Sequence, residues 1–305
     1  MWRRLALRVW LVLGLLCGSW TAWADDAPPP VAIGFYTPVF RDVPRADVEV
    51  SLKFWIDELA QIVKLKFKPI RFYDHMDDLK RDMKSGEINF MVATSMGVAQ
   101  YFAMDELRDG FSGLKALPDH LFLVARRGSG IQSPADLAGK RVAILDGDEL
   151  SEVYLDNLMM KAVGKPAATG LSVIAHEKRS TTLVHRVFFN QADAVLVRRN
   201  AYEAAAAMNP QVGQQLQVLD AYSFKGRSPH IGLFSARLAP HDAEAITKSA
   251  MTLGSTARGR QVLDIYNADS MVQTKVQDLE PFLDLLAQHR KLKDALMTAH
   301  KKGVK

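Results

Sequence analysis

Short apolar runs alternate with segments of helical period along this chain, and that alternation leaves few folds open to it. Val31–Tyr36, Phe67–Tyr73, Ile88–Ala93, Leu121–Ala125 and Val142–Leu145 read as strands, as do Leu171–Ala175, Ala194–Val197 and Ser228–Ser235. Ile88–Ala93 is almost unbroken in apolar residues, as a strand buried on both faces must be. Pro69 withholds a ladder donor and places the second strand near an edge. Between the strands, Val48–Val63 carries Val50, Phe54, Ile56, Leu59, Ile62 and Val63 at helical spacing, and Met76–Lys84 is a helix closed by Ser85-Gly86. Met96–Phe102, Ser151–Val163, Thr181–Phe189, Pro240–Leu253, Arg258–Tyr266 and Val276–Lys301 are further helices. Strands and helices in this order predict parallel sheets covered on both faces.

The N-terminus reads as an export signal. Met1–Arg8 is basic, Val9–Gly18 is apolar but too short to span a bilayer, and Ala22-Trp-Ala24 is a small-x-small cleavage site. Residues 1–24 are therefore expected to be removed, leaving Asp25 as the mature terminus in the periplasm. Cys17 follows Leu16 rather than a small residue and reads as part of the leader, so the mature chain carries no cysteine, as suits an oxidising compartment. Losing Arg3, Arg4 and Arg8 lowers the net charge from +5 to about +2, too little to point to nucleic acid or a membrane surface. No residue pattern supports catalysis. P-loop, H-E-x-x-H and nucleophile-elbow sequences are missing, and the eight histidines are scattered without metal-ligand spacing.

Five stretches in order carry a family resemblance: Gly34-Phe-Tyr-Thr-Pro38, Leu79–Ala93, the Leu121–Leu145 segment with Asp136-Leu-Ala-Gly-Lys-Arg-Val-Ala143, Phe188–Val197 with its Ala-Asp-Ala core, and His230–Phe234. In them the chain resembles the phosphate/phosphite/phosphonate-type periplasmic solute-binding proteins of ABC transporters, which have the type II fold. The resemblance implies an α/β protein of two lobes, each a mainly parallel sheet flanked by helices, joined by two crossing strands. Lobe 1 is expected to be discontinuous, residues 25–121 plus 228–305, with lobe 2, residues 122–227, inserted. It also implies a monomer without cofactor or metal that closes by hinge motion over a small solute. The solute is then passed to the membrane permease of an ABC importer or, alternatively, presented to a membrane signalling receptor.

Candidate ligand residues lie where strands end and helices begin. On lobe 1 these are Tyr36, Thr37 and Phe40 after the first strand, the aromatics either stacking on a ligand or packing, and Thr94 and Ser95, either donors to an anion or an ordinary N-cap. On lobe 2 the turn Asp146-Gly-Asp-Glu-Leu-Ser151 supplies Asp148 and Ser151. Two acids there repel a phosphate, and Asp148 equally suits a helix cap. Arg198 stands where the resemblance implies an acid facing a ligand amine; with Arg179 and Ser180 it suits an anionic solute such as a carboxylate or phosphate, unless these are solvated surface residues.

Overall fold

The computed structural model describes residues 30–63, 65–115, 119–224, 227–265 and 268–303; the leader and its cleavage point after Ala24 lie outside the described residues. Eleven strands build two sheets. The first holds β1 (Ile33–Tyr36), β2 (Arg71–Tyr73), β3 (Phe90–Thr94), β4 (Leu107–Leu114), β10 (His230–Ser235) and β11 (Ser270–Thr274), in the order β11-β4-β10-β3-β1-β2. The second holds β5 (His120–Arg126), β6 (Arg141–Leu145), β7 (Val173–Glu177), β8 (Ala194–Arg198) and β9 (Leu216–Ser223), in the order β7-β6-β8-β5-β9. One-turn segments aside, the helices are α1 (Arg45–Val63), α2 (Met76–Ser85), α3 (Ser95–Tyr101), α4 (Glu149–Ala162), α5 (Ser180–Phe188), α6 (Arg199–Met208), α7 (Pro210–Gln215), α8 (Pro240–Ala250), α9 (Ala257–Ile265) and α10 (Glu280–Gly303).

One expectation needs correction. The sheets are mixed rather than mainly parallel. β2-β1-β3 and β7-β6-β8 are parallel, whereas β10 and β11 in the first sheet and β5 and β9 in the second pair antiparallel with their neighbours. Of these, β5 and β10 follow directly from a strand of the other sheet, β4 and β9 respectively, instead of through a helical crossover. Leu121–Ala125 is paired within the second sheet and His230–Phe234 within the first. The chain passes between the sheets from β4 to β5 and from β9 to β10.

Local chemistry accounts for the elements nearest the site. Gly86 closes α2 in the left-handed conformation (φ 81°), and Thr94 caps α3 by accepting the Gly97 N–H at 3.2 Å. The buried stripe of α1 runs through Val48, Leu52, Trp55, Ile56 and Leu59, so Val50 and Phe54, expected inside, face outward. One apolar core runs from Ile33, Phe90 and Phe234 of the first sheet through Leu123 and Leu196 of the second, and a smaller one packs α5 and its neighbours on the far face. α10 lies on α3 and α4 and packs into the larger core; Asn157 donates to the Leu285 carbonyl at 3.2 Å, and the His289 Nε2 sits 2.7 Å from Asp156.

β4 and β10 approach so closely that a Cβ on Gly110 would lie 2.2 Å from the Gly232 carbonyl oxygen. Both groups are backbone, so the strands themselves would have to part. Gly110→Ala is expected to cost about 1–3 kcal/mol, seen as a lower urea midpoint at unchanged slope. An unchanged midpoint would show that the ladder absorbs a methyl group there.

Candidate functional site

The C-terminal ends of β1, β3, β6 and β8 converge on one cleft between the sheets, a cavity of about 560 Å³. Its charged lining balances: Arg41, Lys115, Arg198 and Arg227 face Asp42, Asp119, Asp148 and Asp264. Phe40, Thr94, Ser180 and the partly buried His230 complete the part that matters for chemistry.

The two sides of this cleft are tied together by side chains. After β1 the chain makes a single 3-10 turn, Thr37–Phe40, which delivers Arg41 and Asp42 to the opposite lobe. The Arg41 guanidinium donates to the Pro38 carbonyl at 3.1 Å, to the Asp146 carbonyl at 2.7 Å and to the Gly147 carbonyl. The Asp42 carboxylate accepts the Ser180 N–H at 3.2 Å and its hydroxyl at 2.8 Å, taking up the N-terminus of α5 as an oxyanion would. The Glu149 carboxylate, at the start of α4, accepts the Tyr36 hydroxyl at 2.8 Å and the Thr94 hydroxyl at 3.2 Å. Gly97 makes room for it, since a Cβ there would stand 3.2 Å from its Oε1 and 2.6 Å from Thr94 Oγ1. Burial pushes the Glu149 carboxyl above its ordinary range against the Tyr36 hydrogen bond. The Tyr36 hydroxyl is raised too, by burial first and by Glu149 second.

Deeper in the cleft, Arg198 Nη2 lies 3.3 Å from Asp148 Oδ1, and the guanidinium carbon sits 4.8 Å above the Phe224 ring. Asp148 occupies the N-cap position of α4, but its carboxylate receives the Ser151 hydroxyl and Arg198 rather than a backbone N–H. Burial would raise its pKa; Arg198, then Arg41 and Ser151, outweigh burial and hold it below the ordinary value. Arg198 Nη1 is buried and has no hydrogen-bond partner. A donor of that kind costs free energy while it goes unmatched.

Of the residues singled out in the sequence, Phe40, Thr94, Asp148, Ser180 and Arg198 line the cavity. Tyr36 and Ser151 lie just behind it, bonded to Glu149 and Asp148. Three lie elsewhere. Thr37 turns outward and donates to Asp74 at 2.7 Å; Ser95 donates to the Ser228 carbonyl at 2.8 Å, tying α3 to the chain entering β10; Arg179, at the N-cap position of α5, points to solvent. Arg41, Asp42, Glu149 and His230 were missed. The adjacent charges at 41 and 42, straight after a strand-end aromatic, were the available signal. Among the described residues, no cluster of three or more His, Cys, Asp or Glu is placed to hold a metal ion.

Comparison with known proteins places this geometry. Residues 44–279 match the family described as "ABC transporter, phosphonate, periplasmic substrate-binding protein". Curated proteins yield no match. Solved structures of similar fold include XAC2383 from Xanthomonas citri bound to chloride ion, 12% identical, with a TM-score of 0.65 over 87% of this chain and 99% of that one. PhnD1 from Prochlorococcus marinus (MIT 9301), in complex with methylphosphonate, is 11% identical, with a TM-score of 0.62 over 86% and 98%. The binding protein component of an ABC phosphonate transporter (PA3383) from Pseudomonas aeruginosa is 13% identical, with a TM-score of 0.64 over 88% and 89%. At these identities the likeness establishes the fold, that of the type II periplasmic binding proteins.

His230 gives the site a measurable acid response. Burial first, then Arg198 and Arg41, push its imidazole down from 6.5 to about 3, with Asp148 pulling the other way. The unfolded chain takes up this proton near 6.5 and the folded chain only near 3, so stability falls as pH falls through that window. The slope is at most about 1.4 kcal/mol per pH unit. Glu149 acts in the opposite sense, its contribution being lost as pH rises through its raised value. Because Glu149 is common to both proteins, His230→Gln isolates the histidine. The variant's melting temperature should depend less steeply on pH between about 6 and 4 than that of the wild type. Parallel curves would show that His230 titrates normally.

Proposed function

Since the chain belongs to the family of phosphonate periplasmic substrate-binding proteins of ABC transporters, we propose that it captures one small anionic solute in the cleft between its lobes and delivers it to a membrane permease, with no chemistry on the solute. Family membership carries the periplasmic location and the work with an ABC permease. The protein reaches the periplasm by its leader, cut after Ala24, and acts as a monomer whose lobes are residues 25–121 with 228–305 and residues 122–227.

One observation carries the reading. A cavity of about 560 Å³ lies at the strand ends of both sheets and is lined by Arg198, whose Nη1 is buried and has no hydrogen-bond partner. A volume of this order suits a small molecule, and an unmatched charged donor inside it is an invitation to an anionic oxygen. Phe40, Thr94, Ser180 and His230 form the walls such a solute would touch.

A thermal-shift screen of phosphonates, sulfonates, carboxylates and vitamins tests this, because a ligand that prefers the folded form raises the melting temperature. For the best ligand, calorimetry on Arg198→Gln, which keeps an amide for Asp148, should show binding weaker by about 1–3 kcal/mol, roughly 5- to 150-fold in Kd. Equal affinity would remove Arg198 from the site, and a screen without any shift would remove the solute-binding reading. Uptake of that ligand by cells lacking the gene separates delivery to a permease from presentation to a signalling receptor. Lost uptake supports the permease.

A further inference from the structure

The donors that an oxyanion would use in this cleft are already held by carboxylates of the chain itself. Asp42 takes the Ser180 N–H and hydroxyl, Glu149 takes the Tyr36 and Thr94 hydroxyls, and Asp148 takes Arg198 Nη2. Arg41, the other inner guanidinium, spends its donors on backbone carbonyls. Of the Arg198 guanidinium, Nη1 is buried and has no hydrogen-bond partner among the described residues. Nor does His230 add a positive charge, being held neutral at ordinary pH by burial and by the two arginines.

Building on the solute-binding reading above, we propose that the cleft selects singly charged anions, such as sulfonates or carboxylates, through one oxygen on Arg198 Nη1, and that Asp148 is the specificity-determining residue that rejects doubly charged oxyanions such as phosphonate dianions. One unpartnered guanidinium N–H offers a single charge-assisted hydrogen bond, and so a place for one anionic oxygen. A second negative charge would stand unscreened near the buried Asp148 carboxylate, and near Asp42 beyond it, in a site where water cannot weaken the repulsion. Asp148 rather than Asp42 sets the limit, because it is bonded to the same guanidinium that the ligand must use.

Propanesulfonate and propylphosphonate separate charge from shape. Both are tetrahedral heads on the same chain, but the sulfonate keeps one charge throughout while the phosphonate passes from one to two across its second ionisation. Calorimetry with the full mature chain would be run on both sides of that ionisation. The wild type should bind the sulfonate equally at both pH values and lose at least about tenfold in affinity for the phosphonate as it becomes a dianion, which is about 1.4 kcal/mol. Asp148→Asn, which keeps the size and polarity that Arg198 and Ser151 meet, should remove most of that loss and gain affinity for the dianion. Wild type that holds the dianion as tightly as the sulfonate overturns the proposal, and this arm needs no variant to fold. So does an Asp148→Asn protein that discriminates as the wild type does. If neither probe binds at millimolar concentration while the wider screen yields another ligand, the charge filter fails and the solute-binding reading survives. If that screen is also empty, both fall.

Discussion

Carboxylates of one lobe meeting donors of the other are the interactions on which the rest of this structure depends. Asp42 reaches from the first lobe to the N-terminus of α5, and Glu149 reaches from the start of α4 to Tyr36 and Thr94. Asp148 turns instead to Arg198 of its own lobe. A buried carboxylate is tolerated only where charge and hydrogen bonds answer it, so each of these side chains fixes the position of its partner. The strand ends supply the places, but the pairs decide which atoms are left for anything else. Among the described residues, Arg198 Nη1 is a buried donor beside this cleft that no such pair answers.

The same pairs set the terms of motion. The core is continuous from the first sheet into one face of the second, and α10 lies across both, on α3 and α4. Opening by a hinge at the two linkers would leave that side packed and pull apart the opposite one. There it would separate Arg41 from the Asp146 and Gly147 carbonyls and Asp42 from Ser180. A ligand shifts such an equilibrium only by the difference between its contacts in the two forms. These contacts hold the two sides of the cleft together in the form described.

Much of the architecture was legible in the sequence because burial on both faces leaves a plain mark. β1, β3, β5, β6, β8 and β10 are short runs of apolar residues, and the helices between them keep their period. The strands that went unseen have a different composition. β4 is Leu-Arg-Asp-Gly-Phe-Ser-Gly-Leu, whose glycines permit the close approach of β10 and read as loop; β9 and β11 are edge strands that are mostly only partly buried and carry polar residues among the apolar ones. These same strands make the sheets mixed, so missing them produced the expectation of mainly parallel sheets. At the site, Phe40, Thr94, Asp148, Ser180 and Arg198 were found from their positions at strand and helix ends. Arg41 and Asp42 were not, because their partners lie more than a hundred residues away, and no local pattern reports a contact of that kind.

Asp148 and Arg198 show most clearly what a sequence withholds. Read apart, an acidic turn argues against an anion and an arginine argues for one. In the fold the two are bonded, with Ser151 behind the acid and Phe224 beneath the base, and the opposed signals become one neutral pair with a spare donor. Structures that share this fold at 11–13% identity include one holding methylphosphonate and one holding chloride. Such likeness establishes the fold alone, and strand ends and linkers are properties of that fold. What the guest is follows from side chains that are free to differ at that identity. Any negative charge placed beside this pair meets Asp148 as well as the guanidinium that answers it.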